Sequence, residues 1–333
     1  MDCVRGGTVS AGMALCRLRW SAYAEPMKNT PNSELPAPSA AAPIRVSPKF
    51  QVGEAHIQSI DETVLYGLNL PSLFPDGDAA SLTAQQAERP KLAELVIRSW
   101  LVRWQGHTVL IDTGIGNGKR RPFNALFDRL DNPFLARLAA AGVLPDEVDA
   151  VLHTHLHVDH VGWNTVWEAD TALPQGGQWR PTFPRAVHVM PTAELAFLET
   201  PAGASRRMVF EDSIQPVLAA GQVQTIGPAG GTILNGFRFR PTPGHSAGHM
   251  AIELESGSQR ALFSGDVMHS PLQVAMPTLS SMFCADPGQA ARTREALLAD
   301  ASQGKTLLLS AHFAGGGAGK VEKDGNSWRW YEG

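Results

Sequence analysis

Residues 153–160 read HTHLHVDH, which places four histidines and one aspartate within eight positions. Imidazole nitrogen and carboxylate oxygen without thiolate form a donor set for zinc, with manganese, iron(II) or cobalt as alternatives. His155, His157 and Asp159 alternate, as on one face of a strand or extended turn, and His160 breaks the alternation. If a strand ends near residue 154 and a helix begins near Asp159, His155 and His157 can hold one ion. Asp159 and His160 then face a second. Two adjacent ions, each short of ligands, need a shared group. Asp266 is the candidate, because a carboxylate has two oxygens with which to bridge.

The elements that must position these groups are legible as apolar segments that end in polar residues. Strand character is read at 94–104 and 107–114, joined by a Gln105-Gly106 turn as a hairpin. It is read again at 147–154, 185–190, 221–227, 237–244, 250–256, 260–266 and 306–312. Helices are expected at 122–143, 193–199, 206–220 and 287–302. The last has Asp286 to cap it and Pro287 at its first position. Strands interleaved with helices suggest sheets covered by helices. Apolar strands run out at His155, His245, Asp266 and His312, and the ends of strands are where open α/β folds build their sites.

The remaining composition excludes more than it specifies. The chain has 333 residues and a formal net charge of −4, which gives no pull toward nucleic acid or anionic membranes. No window is long and apolar enough for a membrane span. Cys3, Cys16 and Cys284 are too few and too scattered for a disulfide framework or a thiolate metal site, so a reducing, cytoplasmic setting is expected. AYA at 22–24 could end a secretory signal, but Arg17 and Arg19 interrupt the apolar run before it. Met27 is an alternative start. Residues 28–45, rich in Pro, Ala and Ser, read as a linker or disordered arm. The expected organisation is therefore an arm over 1–45 and a catalytic domain over 46–333.

THLHVDH (154–160), with IDTG (111–114), TPGHSAGH (242–249), SGD (264–266) and SAH (310–312) in the same order, resembles the metallo-β-lactamase superfamily of hydrolases. The resemblance covers roughly residues 60–315. It implies an αββα sandwich, two mixed sheets flanked by helices, with a metal site at one edge. It implies that His155, His157 and His245 bind one ion, that Asp159, His160 and His312 bind a second, and that Asp266 bridges them. Asp112 resembles the family aspartate that orients ligands without being one.

Departures within the superfamily narrow the chemistry. His157 stands where flavodiiron proteins have glutamate, and Asp266 where one β-lactamase subclass has cysteine. The acidic balance argues against a ribonuclease Z-like role, and the basic residues of glutathione-binding relatives are not found. The segment ALFSGDVMHSPLQ (261–273) resembles the lactonase and aryl-ester or organophosphate hydrolase branch. Many acyl-homoserine-lactone lactonases have a tyrosine three residues after the bridging aspartate, and here that position is His269. This fits phosphotriesterase-like and esterase relatives at least as well.

The expected function is dinuclear hydrolysis of a small-molecule ester or lactone, in which a metal-bridging hydroxide attacks the carbonyl. Phosphotriester hydrolysis is the alternative, with β-lactam or thioester hydrolysis and a non-catalytic metal-binding role behind it. Asp159, Asp266 and His269 are the candidate catalytic residues: Asp266 to carry the proton to the leaving alkoxide, His269 to hydrogen-bond the substrate. His249 is read as supporting a ligand, His153 as structural, and His56, His107 and His188 as ordinary. Trp163 and the loops 66–80 and 270–283 are candidate pocket walls, though the loops suit dimer contacts equally well and a homodimer is compatible. GGGAGK (315–320) lacks the Ser or Thr and the first Gly of a phosphate loop and reads as a loop beside His312.

Overall fold

The structure, a computed structural model, describes residues 48–170 and 176–333. The signal-like, alternative-start and linker readings of 1–45 fall outside the described residues.

Two seven-stranded sheets form the body of the molecule. The first is built from β1 (Lys49–Val52), β2 (Ala55–Leu65), β3 (Leu95–Trp104), β4 (His107–Ile111) and β5 (Ala150–Leu152). A separate two-stranded ribbon, β6 (Thr165–Ala169) with β7 (Gly177–Pro181), intervenes before β8 (Val187–Pro191) and β9 (Val223–Ile226) complete the first sheet. The second sheet runs in chain order through β10 (Gly231–Ile233), β11 (Phe237–Pro241), β12 (Met250–Ser256), β13 (Gln259–Gly265), β14 (Thr306–Ser310), β15 (Ala318–Asp324) and β16 (Ser327–Glu332). Both sheets are mixed: β4, β5, β8 and β9 pair in parallel, as do β13 and β14, and the other neighbours are antiparallel.

Side-chain alternation explains the layering. Trp100, Val102, Val109, Ile111 and Leu152 of the first sheet meet Phe237, Phe239, Ile252, Leu254 and Phe263 of the second in one buried cluster. The residues between them point the other way. Leu101, Leu110 and Val151 pack on Phe134 and Leu138 of the helix Phe134–Ala140. Leu262 and Leu308 pack on Leu297 and Leu298 of the helix Pro287–Ala301. Both faces of these strands are therefore covered, which is why they read as unbroken apolar runs. Each such Leu or Phe contributes about 2 kcal/mol by leaving water. The layers run helix, sheet, sheet, helix, as expected from the resemblance. Among the described residues, no helix is long and apolar enough to cross a membrane.

The hairpin forms as read: Trp104 pairs with His107, and Gln105 and Gly106 both take positive φ, 48° and 79°, the tight turn whose twist suits adjacent strands. Asp286 accepts a hydrogen bond from the Gln289 amide and caps the long helix.

Two helices differ from expectation. The 122–143 helix shrinks to Phe134–Ala140. Asp128 accepts the Arg121 amide, Asn124 accepts the Leu126 amide, and Arg129 sits at a φ of 50°, so side chains and backbone close turns instead of a helix. The 206–220 helix is broken by a wide turn at Phe210–Ile214 before it resumes at Gln215–Ala219. Pro216 has no N–H to donate, so the regular ladder cannot continue through it. Conversely, β2 has eleven residues and no apolar run to betray it: Gln58, Ser59 and Glu62 are buried polar groups, and a bulge lies between Asp61 and Thr63.

Candidate metal centre

Five loops deliver the predicted groups to one edge of the sandwich, each from the end of a strand. Asp112 follows β4, the histidine stretch follows β5, His245 follows β11, Asp266 follows β13 and His312 follows β14. The end of β13 depends on glycine. Gly265 has a φ of 49°, and a Cβ there would lie 2.6 Å from His249 Nε2 and 2.9 Å from Thr154. A register shift between Phe263 and Gly265 turns the chain at the same point and aims Asp266 inward.

Asp266 is the hub, and its two oxygens face different sets of imidazoles. Oδ2 lies 3.2 Å from His245 Nε2 and 3.7 Å from His155 Nε2. Oδ1 lies 2.9 Å from His312 Nε2 and 3.1 Å from His160 Nε2. His157 joins the first set, with its Nδ1 2.8 Å from His245 Nε2. Asp159 joins the second, with Oδ2 3.7 Å from His160 Nε2 and 3.8 Å from His312 Nε2. Donor atoms of His155, His157, His245 and Asp266 all lie within 4.8 Å of one another, and so do those of Asp159, His160 and His312.

This donor set fits a pair of divalent ions. Tetrahedral ligation at metal–nitrogen distances of about 2.0–2.1 Å separates neighbouring donors by roughly 3.3 Å, close to the spacings around Asp266. Nε2 of His155 is buried and makes no hydrogen bond. Burying such a group without a partner costs about 1–3 kcal/mol, and an ion relieves it.

Protonation divides along the same line. Burial, then neighbouring imidazoles, pushes His155 well below the ordinary histidine range; burial likewise lowers His157 and His245, and neutral imidazole is the ligating form. Burial also opposes charge on His160 and His312, but the carboxylates of Asp266 and Asp159 outweigh it and hold both above the ordinary value. Binding an ion on that side therefore displaces protons. Burial works to raise Asp266, yet the surrounding imidazoles, His160 foremost, keep it well below the usual carboxylate range.

Groups behind the ligands fix their orientation. Asp112, at a φ of 57°, accepts from Thr154 N at 2.9 Å through Oδ1 and from Thr154 Oγ1 at 2.7 Å through Oδ2. Its Oδ2 also lies 2.9 Å from His160 Nδ1, so it plays the supporting part expected of it. The Val96 carbonyl takes His312 Nδ1 at 2.9 Å. His249 accepts the Asp266 amide on Nε2 at 3.0 Å, and its Nδ1 meets Thr242 Oγ1 at 2.8 Å, so both nitrogens are used and it supports Asp266. His153 stacks on His188, with ring centres 5.7 Å apart, away from the ligand nitrogens.

His269 enters the site from the turn after Asp266. Its Nε2 is 3.3 Å from Asp266 Oδ2, and its ring lies parallel to that of His312 at 5.3 Å. Burial keeps it below the ordinary histidine value, so it is neutral. Phe283 packs on its other side with ring centres 5.4 Å apart. The loops 66–80 and 270–283 meet: Leu70, Leu73 and Phe74 share a cluster with Leu272, Leu279 and the motif residues Leu156 and Val158. Trp163 is a correction. It stacks on Phe134 at 5.2 Å and donates to Glu62 at 2.8 Å, within the layer outside the first sheet. GGGAGK forms the turn into β15 beside His312, where Arg98 donates to the carbonyls of Phe313 and Gly315.

Sequence reading missed Glu62, Arg98 and Glu194, three buried charged groups that tie loops together. Nothing in their local sequence marks them, since their partners, backbone amides and carbonyls together with side chains such as Trp163 and Asp61, lie far along the chain.

The profile of the metallo-β-lactamase superfamily matches residues 93–312. No curated protein matches the chain. Among solved structures, a hydrolase of the β-lactamase superfamily, AbOPH, is 23% identical with a TM-score of 0.72, covering 87% of this chain and 98% of its own. AidC, a dizinc quorum-quenching lactonase in complex with a product, is 20% identical with a TM-score of 0.69, covering 86% and 97%. A probable metal-dependent hydrolase from Staphylococcus aureus is 21% identical with a TM-score of 0.67, covering 85% and 99%. At these identities the likeness is one of fold.

Proposed function

The chain belongs to the metallo-β-lactamase superfamily, and from that premise we propose that it is a dinuclear metal-dependent hydrolase of small-molecule esters or lactones. The observation that carries this reading is the division of Asp266, one oxygen toward His155 and His245 and the other toward His160 and His312. A carboxylate divided in this way has an oxygen to give to each of two ions. His155, His157 and His245 would hold one ion, and Asp159, His160 and His312 the other, with Asp266 shared. Zinc is the first choice for nitrogen and oxygen donors without thiolate. When bound, such a pair of ions acidifies water near neutral pH and polarises a carbonyl as a Lewis acid.

The chain's own residues then handle protons and substrate. Asp266 is poorly suited to carry a proton, because it is 3% exposed and held well below the usual carboxylate range. Asp159 is the better carrier: its side chain is 15% exposed and makes only the longer 3.7 and 3.8 Å contacts. It can take the proton released by water and return it to the leaving alkoxide, a step worth about 10²–10⁴-fold. His269, neutral and beside Asp266, donates one N–H to the substrate oxygen. Phe283 and the apolar loops beside it favour an acyl chain or aryl group over a charged one.

A hydrolysis panel on zinc-loaded protein tests the reading, with aryl esters, acyl-homoserine lactones, phosphotriesters and a chromogenic β-lactam. Turnover of esters or lactones, lost together with bound metal in Asp266→Ala, is expected. Full activity in Asp266→Ala, or turnover of the β-lactam alone, would refute it.

A further inference from the structure

Glu194 is the third residue of the short helix Thr192–Leu198, and it is only 2% exposed. Its carboxylate spans two ligand-bearing loops. Oε2 accepts from the Leu156 amide at 3.3 Å, and Oε1 accepts from the Gly248 amide at 2.9 Å. Leu156 lies between His155 and His157. Gly248 follows His245 by three residues and adjoins His249, whose Nε2 holds the Asp266 amide. Every donor of the His155–His157–His245 set is thus on a loop that Glu194 clamps, or is held by the neighbour of one. In the other set, Asp159 and His160 share the Leu156 loop, but His160 has its own anchor in Asp112, and His312, on a loop Glu194 does not touch, has the Val96 carbonyl.

We infer that Glu194 is a positioning residue that selectively sets the ion affinity of the His155–His157–His245 position, a role that rests on the dinuclear reading above. Two backbone amides, fixed by one buried carboxylate, hold the two loops at the separation that brings His155, His157 and His245 onto one point. The carboxylate also adds negative charge behind that point, where it favours a cation. Replacing the acid by an amide turns one of its two acceptors into a donor facing a backbone N–H, so one loop is released. Outer partners of this kind are worth about 10–100-fold in metal affinity.

Gly248 offers an independent perturbation. A Cβ there would lie 2.8 Å from Glu194 Oε1, 2.9 Å from its Cγ and 2.9 Å from its backbone nitrogen, so the carboxylate and the backbone that bears it must both shift away from the Gly248 loop without loss of the acid. The experiment compares the full-length wild type with Glu194→Gln and Gly248→Ala. Zinc affinities come from chelator competition, and the occupancy of each position from anomalous diffraction. Both variants are expected to bind zinc about 10–100-fold more weakly at the His155–His157–His245 position and unchanged at the other. Equal weakening at both positions, or none, would overturn the role of Glu194. So would loss of fold in both metal-free variants by circular dichroism, since Glu194 would then serve the fold and not one ion position. A wild type that binds fewer than two zinc ions would instead refute the dinuclear reading itself.

Discussion

Asp112→Asn is the sharpest single perturbation of the second position. Asp112 accepts three hydrogen bonds, from Thr154 N at 2.9 Å, Thr154 Oγ1 at 2.7 Å and His160 Nδ1 at 2.9 Å. Asparagine has the same shape but one acceptor fewer. If its NH2 replaces Oδ1, it meets the Thr154 amide donor to donor, and that buried mismatch costs about 1–3 kcal/mol of stability. If it replaces Oδ2, the Thr154 hydroxyl can rotate to accept, but His160 Nδ1 must give up its proton. The proton then sits on Nε2, the nitrogen that faces Asp266 Oδ1, and the lone pair needed by an ion is gone. Loss of this orienting contact should weaken the ion on the Asp159–His160–His312 side about 10–100-fold, or about 1.4–2.7 kcal/mol. The His155–His157–His245 side, which Asp112 reaches at one remove through Thr154, whose hydroxyl lies 3.0 Å from His155 Nδ1, should change less. Stepwise zinc titration against a chelator, run beside urea unfolding of the metal-free protein, separates the two routes. Two zinc affinities within twofold of wild type, together with unchanged stability, would refute this account of Asp112.

Two further outcomes follow from buried groups. His269→Leu removes the imidazole that lies 3.3 Å from Asp266 Oδ2, and with it the N–H proposed for the substrate, while keeping a side chain between His312 and Phe283. It should lower kcat with both zinc ions retained, and loss of an ion on this substitution would contradict a substrate-facing role. Burial pushes the Lys119 ammonium down to about 7, despite the attraction of Asp212. The unfolded chain then binds the extra proton between about pH 7 and the ordinary lysine range near 10.4, so stability should rise with pH across that window. Lys119→Met should flatten the rise in the urea midpoint, and an unaltered pH slope in that variant would rule out Lys119 as its source.

The strands and ligand loops were legible because the physics behind them is local. Runs such as 150–152 and 261–263 are apolar on both faces, since each strand is covered by the other sheet and by a helix, and the polar residues that follow them are the ones at the site. HTHLHVDH did not divide by its alternation, which would group Asp159 with His155 and His157: a turn over 158–160, where a helix was expected, places Asp159 beside His160 and His312 instead. What stayed hidden depends on distant partners. Glu194 looks like any helical glutamate until β8 carries it beneath Leu156 and Gly248. The apolar spacing of 122–143 looked helical because sequence periodicity does not register the closing of turns by Asp128 and Asn124. Trp163 follows the metal motif directly, but the turn at 162–164 sends its ring away from the ligands and onto Phe134.

The central claim is that one carboxylate is shared by two ions. Anomalous diffraction from crystals grown with zinc tests it directly. Two zinc peaks are predicted, one on each side of Asp266, the first within bonding distance of His155, His157 and His245 and the second of Asp159, His160 and His312. A single peak, or two that do not share Asp266, would contradict the account.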